Sequence, residues 1–444
     1  MAQALVEFLQ VQHSERDGKT RRLVPAVFGI FGHGNVHGLG QALFEYGDDL
    51  PYYRPCNEQS MVHTAAAFAR TNRRLATLAC ASSIGPGATN MITGAAAATI
   101  NRLPVLLLPS DYYATRFQGP VLQQLEHPVS ADVSVNDCFR PVSRFFDRII
   151  RPEQLLTALP EAMRVLTDPV ETGAVTLALP QDVQAEAYAY PSRLFEERVW
   201  EIERRAPDPR RINEAVTLLR AAKRPMVIAG GGVSYSEAEA ELRAFAEAFG
   251  VPVGETFAGH GVMGGSSPMA FGGHGTNGTS AATKIADGAD LVIAIGTRLT
   301  DITTGSRTAF GNSDVRFLHI NVSRLDAHKL GALAIIGDAR ESLRALTAAA
   351  HEAGVRPDAE YAREIAAAKA EWDRALREKV FRQVPGEALS QGQLVGILNE
   401  EARSGDTVIN DAGTLPGDLH KLWDVRNGTT CHLEFGYSTM GYAL

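Results

Sequence analysis

Cysteine is scarce in this sequence: four residues in 444, at Cys56, Cys80, Cys138 and Cys431. Their spacing contains no Cys-x-x-Cys pair, and four thiols are too few to staple so long a chain, which argues against a disulfide scaffold or a zinc ribbon. Buried thiols acting as small hydrophobes, in a reducing cytoplasm, are expected. Positive charge is not in excess either, with 43 Lys and Arg against 51 Asp and Glu and a net charge of −8. No basic field is available to hold a polyanion, so nucleic acid is not expected as a partner. Long apolar runs are missing as well. The most apolar stretch, Met91 to Pro109, is interrupted by Asn101, Arg102 and Pro104, which would be costly in lipid, so no membrane association is expected. Met1 to Gln12 lacks the basic segment, apolar core and small-residue cleavage site of a secretory signal.

Several common catalytic signatures fail position by position. Gly230 and Gly232 would need a third glycine where Tyr235 stands, and Gly32 and Gly34 would need one at His37, so neither is a dinucleotide fingerprint. Gly18-Lys19-Thr20 imitates the end of a phosphate loop, but His13 occupies the position of its first glycine. Gly436-Tyr437-Ser438-Thr439 is followed by Met440, so it is no nucleophile elbow. No His-Glu-x-x-His helix is present.

The hydrophobic fraction of 45% fits ordinary globular domains, and the length predicts two or three of them. Short apolar runs alternate with longer amphipathic stretches, the pattern of parallel sheets flanked by helices, so the fold class is α/β. Strands are expected at Ala26–Ile30, Leu75–Ala79, Val105–Leu108 and Val175–Leu179, then at Met226–Ala229, Leu291–Ile295 and Phe317–Ile320. A charged, proline-bearing stretch from Tyr190 to Pro209 reads as a linker, and Asp358–Val380 as a solvated connecting helix. Three domains follow: residues 1–190, 208–350 and 380–444. The third shows one helix, Gln391–Arg403, and strands at Thr407–Asn410 and near Cys431–Phe435. So few strands would leave an exposed sheet edge, so this domain is expected to be incomplete, either a fragment or a half completed by another chain.

The most suggestive local feature is Pro55-Cys56-Asn57-Glu58-Gln59-Ser60-Met61-Val62-His63, a polar cluster opening an Ala-rich helix. A carboxylate at Glu58 suits the helix dipole, so a capping role and a chemical role both stand. After the next strand comes Ser82-Ser83-Ile84-Gly85-Pro86-Gly87-Ala88-Thr89-Asn90, whose small residues let backbone approach a ligand. With Phe31-Gly32-His33-Gly34-Asn35-Val36, three strand-end loops fall on one sheet edge, where α/β proteins bind ligands.

Glu58, Gly85–Asn90, Leu103-Pro104-Val105 and Leu179-Pro180-Gln181-Asp182-Val183, in this order, resemble the pyrimidine-binding domain of thiamine diphosphate-dependent enzymes of the acetolactate synthase type. Lys223 to Gly232, Gly288 to Leu299 and His319-Ile320-Asn321-Val322 resemble that family's central domain, for which a structural role is expected here. Asn410-Asp411-Ala412-Gly413 and Glu434 to Tyr442 resemble the start of its diphosphate-binding domain. Val121-Leu122-Gln123-Gln124, Arg151-Pro152-Glu153-Gln154 and Leu415-Pro416-Gly417-Asp418-Leu419 are similar to the branch that hydrolyses a trihydroxycyclohexanedione in inositol breakdown, although Thr439 stands where that branch is expected to carry cysteine.

The resemblance implies three doubly wound parallel-sheet domains of the thiamine diphosphate enzyme fold, the third incomplete. It implies thiamine diphosphate as cofactor, with the Glu58 carboxyl hydrogen-bonded to its aminopyrimidine ring and with Gly85 and Met440 also at the cofactor. A core methionine is the alternative for Met440. His33, Asn35 and Gln59 are candidates to hydrogen-bond the hydroxyls of a cyclic dione, or are satisfied structural groups. Magnesium is implied too, through a Gly-Asp-Gly loop and a downstream Asn beyond this sequence, so no metal ligand is assigned within it. A homodimer or homotetramer is implied for the complete protein. A carboligase acting on 2-oxo acids and a non-catalytic nucleotide-binding module are the competing readings.

Overall fold

The computed structural model describes residues 1–47, 49–425 and 428–443. Contacts divide the chain into two units, Met1–Glu203 with Gly436–Tyr442, and Arg204–Phe435 with Ala443. The stretch after residue 380 falls in the same unit as the central region, and the seven residues Gly436–Tyr442 fall in the first.

In the first unit, helix Ala2–Gln10 buries Leu5, Val6, Phe8 and Leu9. A hairpin follows, of β1 (Gln12–Arg16) and β2 (Lys19–Arg22), paired antiparallel. Asp17 and Gly18 both take positive φ, 55° and 77°, the conformation a two-residue turn needs to match the strand twist. The resemblance of Gly18-Lys19-Thr20 to a phosphate loop is thus the sequence of a hairpin turn.

Six parallel strands then build the main sheet: β3 (Val27–Ile30), β4 (Tyr52–Tyr53), β5 (Ala79–Ser82), β6 (Val105–Asp111), β7 (Phe145–Arg148) and β8 (Ala174–Pro180). Their spatial order is β4-β3-β5-β6-β8-β7. Every residue of β5, β6 and β8 is buried, as expected where helices cover both faces of a parallel sheet.

Two expectations are corrected here. The strand predicted over Leu75–Ala79 begins only at Ala79. Leu75, Ala76 and Leu78 are buried as a lead-in, in which the Thr77 amide donates to Leu23 O and its hydroxyl to Pro104 O. Burial alone makes such a segment look like strand, and apolar content cannot separate the two. The stretch from Tyr190 to Pro209 is more than a linker, because it contains β9 (Arg198–Glu201), which pairs in parallel with β1. Trp200 Nε1 donates to Gln12 Oε1 at 3.0 Å, while the Arg198 guanidinium lies 3.8 Å from the centre of the Trp200 ring. An exposed edge strand this polar carries a charge signature like that of a linker.

The second unit holds another parallel sheet: β10 (Pro225–Ala229), β11 (Val253–Glu255), β12 (Ala270–Gly273), β13 (Leu291–Ile295), β14 (Arg316–Asn321) and β15 (Leu333–Ile336). Its order is β12-β11-β10-β13-β14-β15. Helix Ala359–Ala375 starts where Asp358 accepts from the amides of Glu360 and Tyr361. It is not wholly solvated: Tyr361, Ile365 and Ala368 are buried with Met226, Ile228 and Phe271, and the Tyr361 hydroxyl donates to Pro225 O at 3.1 Å.

The last part of this unit contributes helices Gln391–Glu401 and Leu415–Leu422 with β16 (Thr407–Asn410) and β17 (Thr430–Leu433), the two strands parallel. Val395, Leu419, Leu422, Trp423, Cys431 and Leu433 share one core with Phe257 of the central region, and the His420 imidazole donates through Nε2 to Glu255 O at 2.9 Å. Of the four cysteines, Cys80 and Cys431 are buried as expected, whereas Cys56 and Cys138 are exposed.

Candidate active site

All strands of the first sheet run in parallel, so the loops leaving β3, β4 and β5 emerge on one edge, as the spacing of the motifs predicts. The loop after β4 leads into helix Glu58–Thr71. Asn57 starts that helix: with extended backbone, its Oδ1 accepts from the amides of Gln59 at 2.9 Å and Ser60 at 3.1 Å. Capping is thus performed by the neighbour, and the Glu58 carboxyl is released from it. That side chain is half-buried, and its Oε2 accepts a hydrogen bond from Asn90 Nδ2 at 2.9 Å.

The loop after β5 shapes the other wall. Gly85 opens the short helix Pro86–Asn90 with φ +63°, and a Cβ there would lie 1.9 Å from Gln123 O, so only glycine fits. A Cβ on Gly87 would lie 2.4 Å from Ser83 Oγ and 3.1 Å from Glu58 Oε1. The missing side chain at Gly87 keeps one carboxyl oxygen uncrowded while Asn90 holds the other.

The loop after β3 carries two of the candidate substrate residues. His33 is half-buried, and its carbonyl accepts from the Ile84 amide at 3.0 Å, tying this loop to the glycine loop. Asn35 is fully buried. Its amide donates to Ser82 O and Leu108 O, both at 2.9 Å, while Oδ1 accepts from Gln184 Nε2 at 2.9 Å. Both amide hydrogens are consumed in joining β5 to β6, so Asn35 takes the structural one of its two readings. Gln184 completes this junction, donating also to Leu179 O at 3.0 Å and accepting from the Leu39 amide at 3.0 Å.

Gln59 and Met440 lie together. Gln59 Nε2 donates to the Met440 carbonyl at 2.9 Å and stands 3.2 Å from His63 Nε2, and the buried His63 ring meets Tyr442 edge-on at 5.5 Å. Met440 itself is 78% exposed, which rules out the core-methionine reading.

Sequence reasoning passed over Asn57, Asn90, Gln123 and Gln184 as individuals. Asn90 ended a motif that had been singled out, so its signal was present. Gln184 carried none, because a buried glutamine in a short turn has the composition of a surface one.

In the second unit the Gly230–Gly232 turn has no room to spare. A Cβ on Gly230 would lie 2.4 Å from Gly296 O, and one on Gly232 would lie 2.6 Å from Gly296 Cα. The Gly232 amide, which a phosphate at this helix start would use, already donates to Gly296 O at 2.9 Å.

Comparison with known proteins agrees with this geometry. Residues 20–129 match the description "Thiamine pyrophosphate enzyme, N-terminal TPP binding domain" and residues 212–346 match "Thiamine pyrophosphate enzyme, central domain", pyrophosphate being a synonym of diphosphate. The chain is 47% identical, over 99% of its length and 72% of theirs, to proteins named 3D-(3,5/4)-trihydroxycyclohexane-1,2-dione hydrolase from Bacillus cereus and Clostridium tetani. The chain is therefore a member of the thiamine pyrophosphate enzymes and belongs to the family of the 3D-(3,5/4)-trihydroxycyclohexane-1,2-dione hydrolases.

Proposed function

We propose that this protein hydrolyses a carbon–carbon bond of 3D-(3,5/4)-trihydroxycyclohexane-1,2-dione, giving 5-deoxy-glucuronate in inositol catabolism, with thiamine diphosphate as cofactor. The observation that carries the reading is the Glu58 carboxyl, freed from capping by Asn57 and set beside the Gly85–Gly87 loop, in a chain 47% identical to hydrolases of that name. The cradle suits the cofactor's pyrimidine ring: one carboxyl oxygen is anchored, and glycine leaves space at the other.

When bound, thiamine diphosphate supplies a carbon nucleophile that attacks carbonyls and stores the resulting electron pair. Glu58 would exchange a hydrogen bond or proton with the pyrimidine ring through Oε1, a role for a carboxyl within hydrogen-bond reach of the proton it handles. Gly85, closed against Gln123 O, sets the path of the loop, Gly87 leaves Glu58 Oε1 uncrowded, and Met440 stands exposed for contact with the ring. His33, from the neighbouring loop, and Gln59 remain the candidates to hold substrate hydroxyls, Gln59 through its Oε1 since its amide faces Met440 O and His63 Nε2, whereas Asn35 is committed to the sheet.

Magnesium belongs to the proposal as the partner of the diphosphate, a pairing its hardness favours, with no ligand assigned among the residues of this chain. So does a homo-oligomeric assembly. A reducing cytoplasm is part of the proposal, where the four free cysteines would stay reduced; among the described residues no helix is long and apolar enough to cross a membrane.

The deciding experiment is turnover of the purified dione by the complete gene product with thiamine diphosphate and magnesium, beside its Glu58→Gln variant. Hydrolysis that the substitution lowers by about a hundredfold or more bears out the reading. Pyruvate decarboxylation without dione hydrolysis would replace it with a carboligase.

A further inference from the structure

We infer that Asn90 is a positioning residue: its side-chain amide fixes the Glu58 carboxyl so that Oε1, over Gly87, is the oxygen offered to the cofactor. The inference rests on the proposed role of Glu58.

Three features lead to it. A half-buried carboxyl at a helix start would ordinarily turn back to cap the free amides, but Asn57 has taken that task, so nothing in the helix itself fixes the Glu58 rotamer. Asn90 supplies the constraint from another element, donating at 2.9 Å to Oε2. The donor is neutral. An Arg or Lys there would form an ion pair with the carboxyl, whereas an amide orients it without adding a charge.

The geometry also separates the two oxygens. Oε2 faces Asn90, while Oε1 lies next to the one position in the loop, Gly87, where any side chain would crowd it. The motif Gly85-Pro86-Gly87-Ala88-Thr89-Asn90 therefore contributes twice, with a gap for one oxygen and a donor for the other. Its short helix makes this possible, because Gly87 and Asn90 are three residues apart and so lie on the same side of the turn.

A double-substitution cycle on the complete gene product tests this, with two readouts: kcat on the dione, and the Kd of thiamine diphosphate measured calorimetrically in the presence of magnesium. If Asn90 acts through Glu58, Asn90→Ala lowers kcat roughly tenfold to a hundredfold, the loss expected when a catalytic group is misplaced by about an ångström. Glu58→Gln combined with Asn90→Ala then costs no more than Glu58→Gln alone, in both kcat and Kd. Effects that multiply, or an Asn90→Ala variant within twofold of the parent, overturn the inference while leaving the role of Glu58 intact. A Glu58→Gln variant with full turnover instead defeats the functional reading itself.

Asn90→Asp, nearly isosteric, covers the case in which the alanine variant does not fold. Two carboxyls at this distance hold a proton between them to higher pH, and the protonated one can replace the amide as donor. The kcat of this variant should be best preserved at acidic pH and fall as pH rises, shifting its profile toward acid. An unshifted profile would mean that Asn90 only supports the loop.

Discussion

The Gln59 side-chain amide donates to the Met440 carbonyl at 2.9 Å, joining positions 381 residues apart within the first unit. A residue at the start of the Glu58 helix thereby anchors the backbone of the last segment. Gln59→Ala should release Gly436–Tyr442, with amide hydrogen exchange there faster by roughly fivefold, the equivalent of about 1 kcal/mol for one hydrogen bond. Mass-spectrometric exchange on this segment checks it, and unchanged protection would show that its other contacts, Tyr442 packing on His63 among them, hold the segment.

Asn57 and Glu58 are adjacent but should separate cleanly in their effects. Asn57→Ala removes the helix cap and is expected to cost about 1 kcal/mol of stability. Glu58→Gln keeps the cap and should leave the denaturation midpoint nearly unchanged while removing activity. Urea unfolding of both variants measures the contrast.

Asn35→Ala strands Ser82 O and Leu108 O without their donor and removes the acceptor of Gln184, all in a fully buried site. Leaving such groups unsatisfied costs about 1–3 kcal/mol each, so a loss of several kcal/mol is expected. A variant close to native stability would argue that Asn35 is free to serve substrate.

Gly85→Ala combines a left-handed backbone position with a direct clash against Gln123 O. The 121–124 loop must move, and a loss of more than about 1 kcal/mol is expected. Altered proteolysis near Gln123 would report the displacement.

The second unit should weaken in mild acid. Burial pushes the His274 and His319 imidazoles down to about 4, and burial with neighbouring His260 pushes His420 down to about 3. The unfolded chain binds protons on these rings near their ordinary value of about 6.5, while the folded chain binds them only at lower pH. Their stabilising effect is therefore complete above about pH 6.5 and is lost as pH falls toward 4. Unfolding midpoints at pH 7 and pH 5 should differ in this direction, and His274→Phe should narrow the gap. Equal midpoints in the parent protein would contradict it.

Apolar runs located central strands of both parallel sheets, because a strand covered on two faces must be continuously apolar, as in β6 and β13, but gave no sign of the short strands β4, β7, β11, β12 and β15. The same logic set Glu58 at a helix start and the glycine loops on one sheet edge. It failed where burial and hydrogen bonding part company, at Leu75–Leu78, and where a polar strand sits at an edge, at Arg198–Glu201.

The residues themselves determined the family, the parallel α/β architecture and the set of groups from which a site could be built, since these depend on local pattern and motif order. Only the tertiary structure decided which of those groups are spent. Asn35 is consumed by Ser82, Leu108 and Gln184, while Glu58 is held by Asn90. A polar side chain has the same letter in the sequence whether its hydrogen bonds are satisfied or still available, and only the distances to groups brought in from other strands and helices tell the two apart.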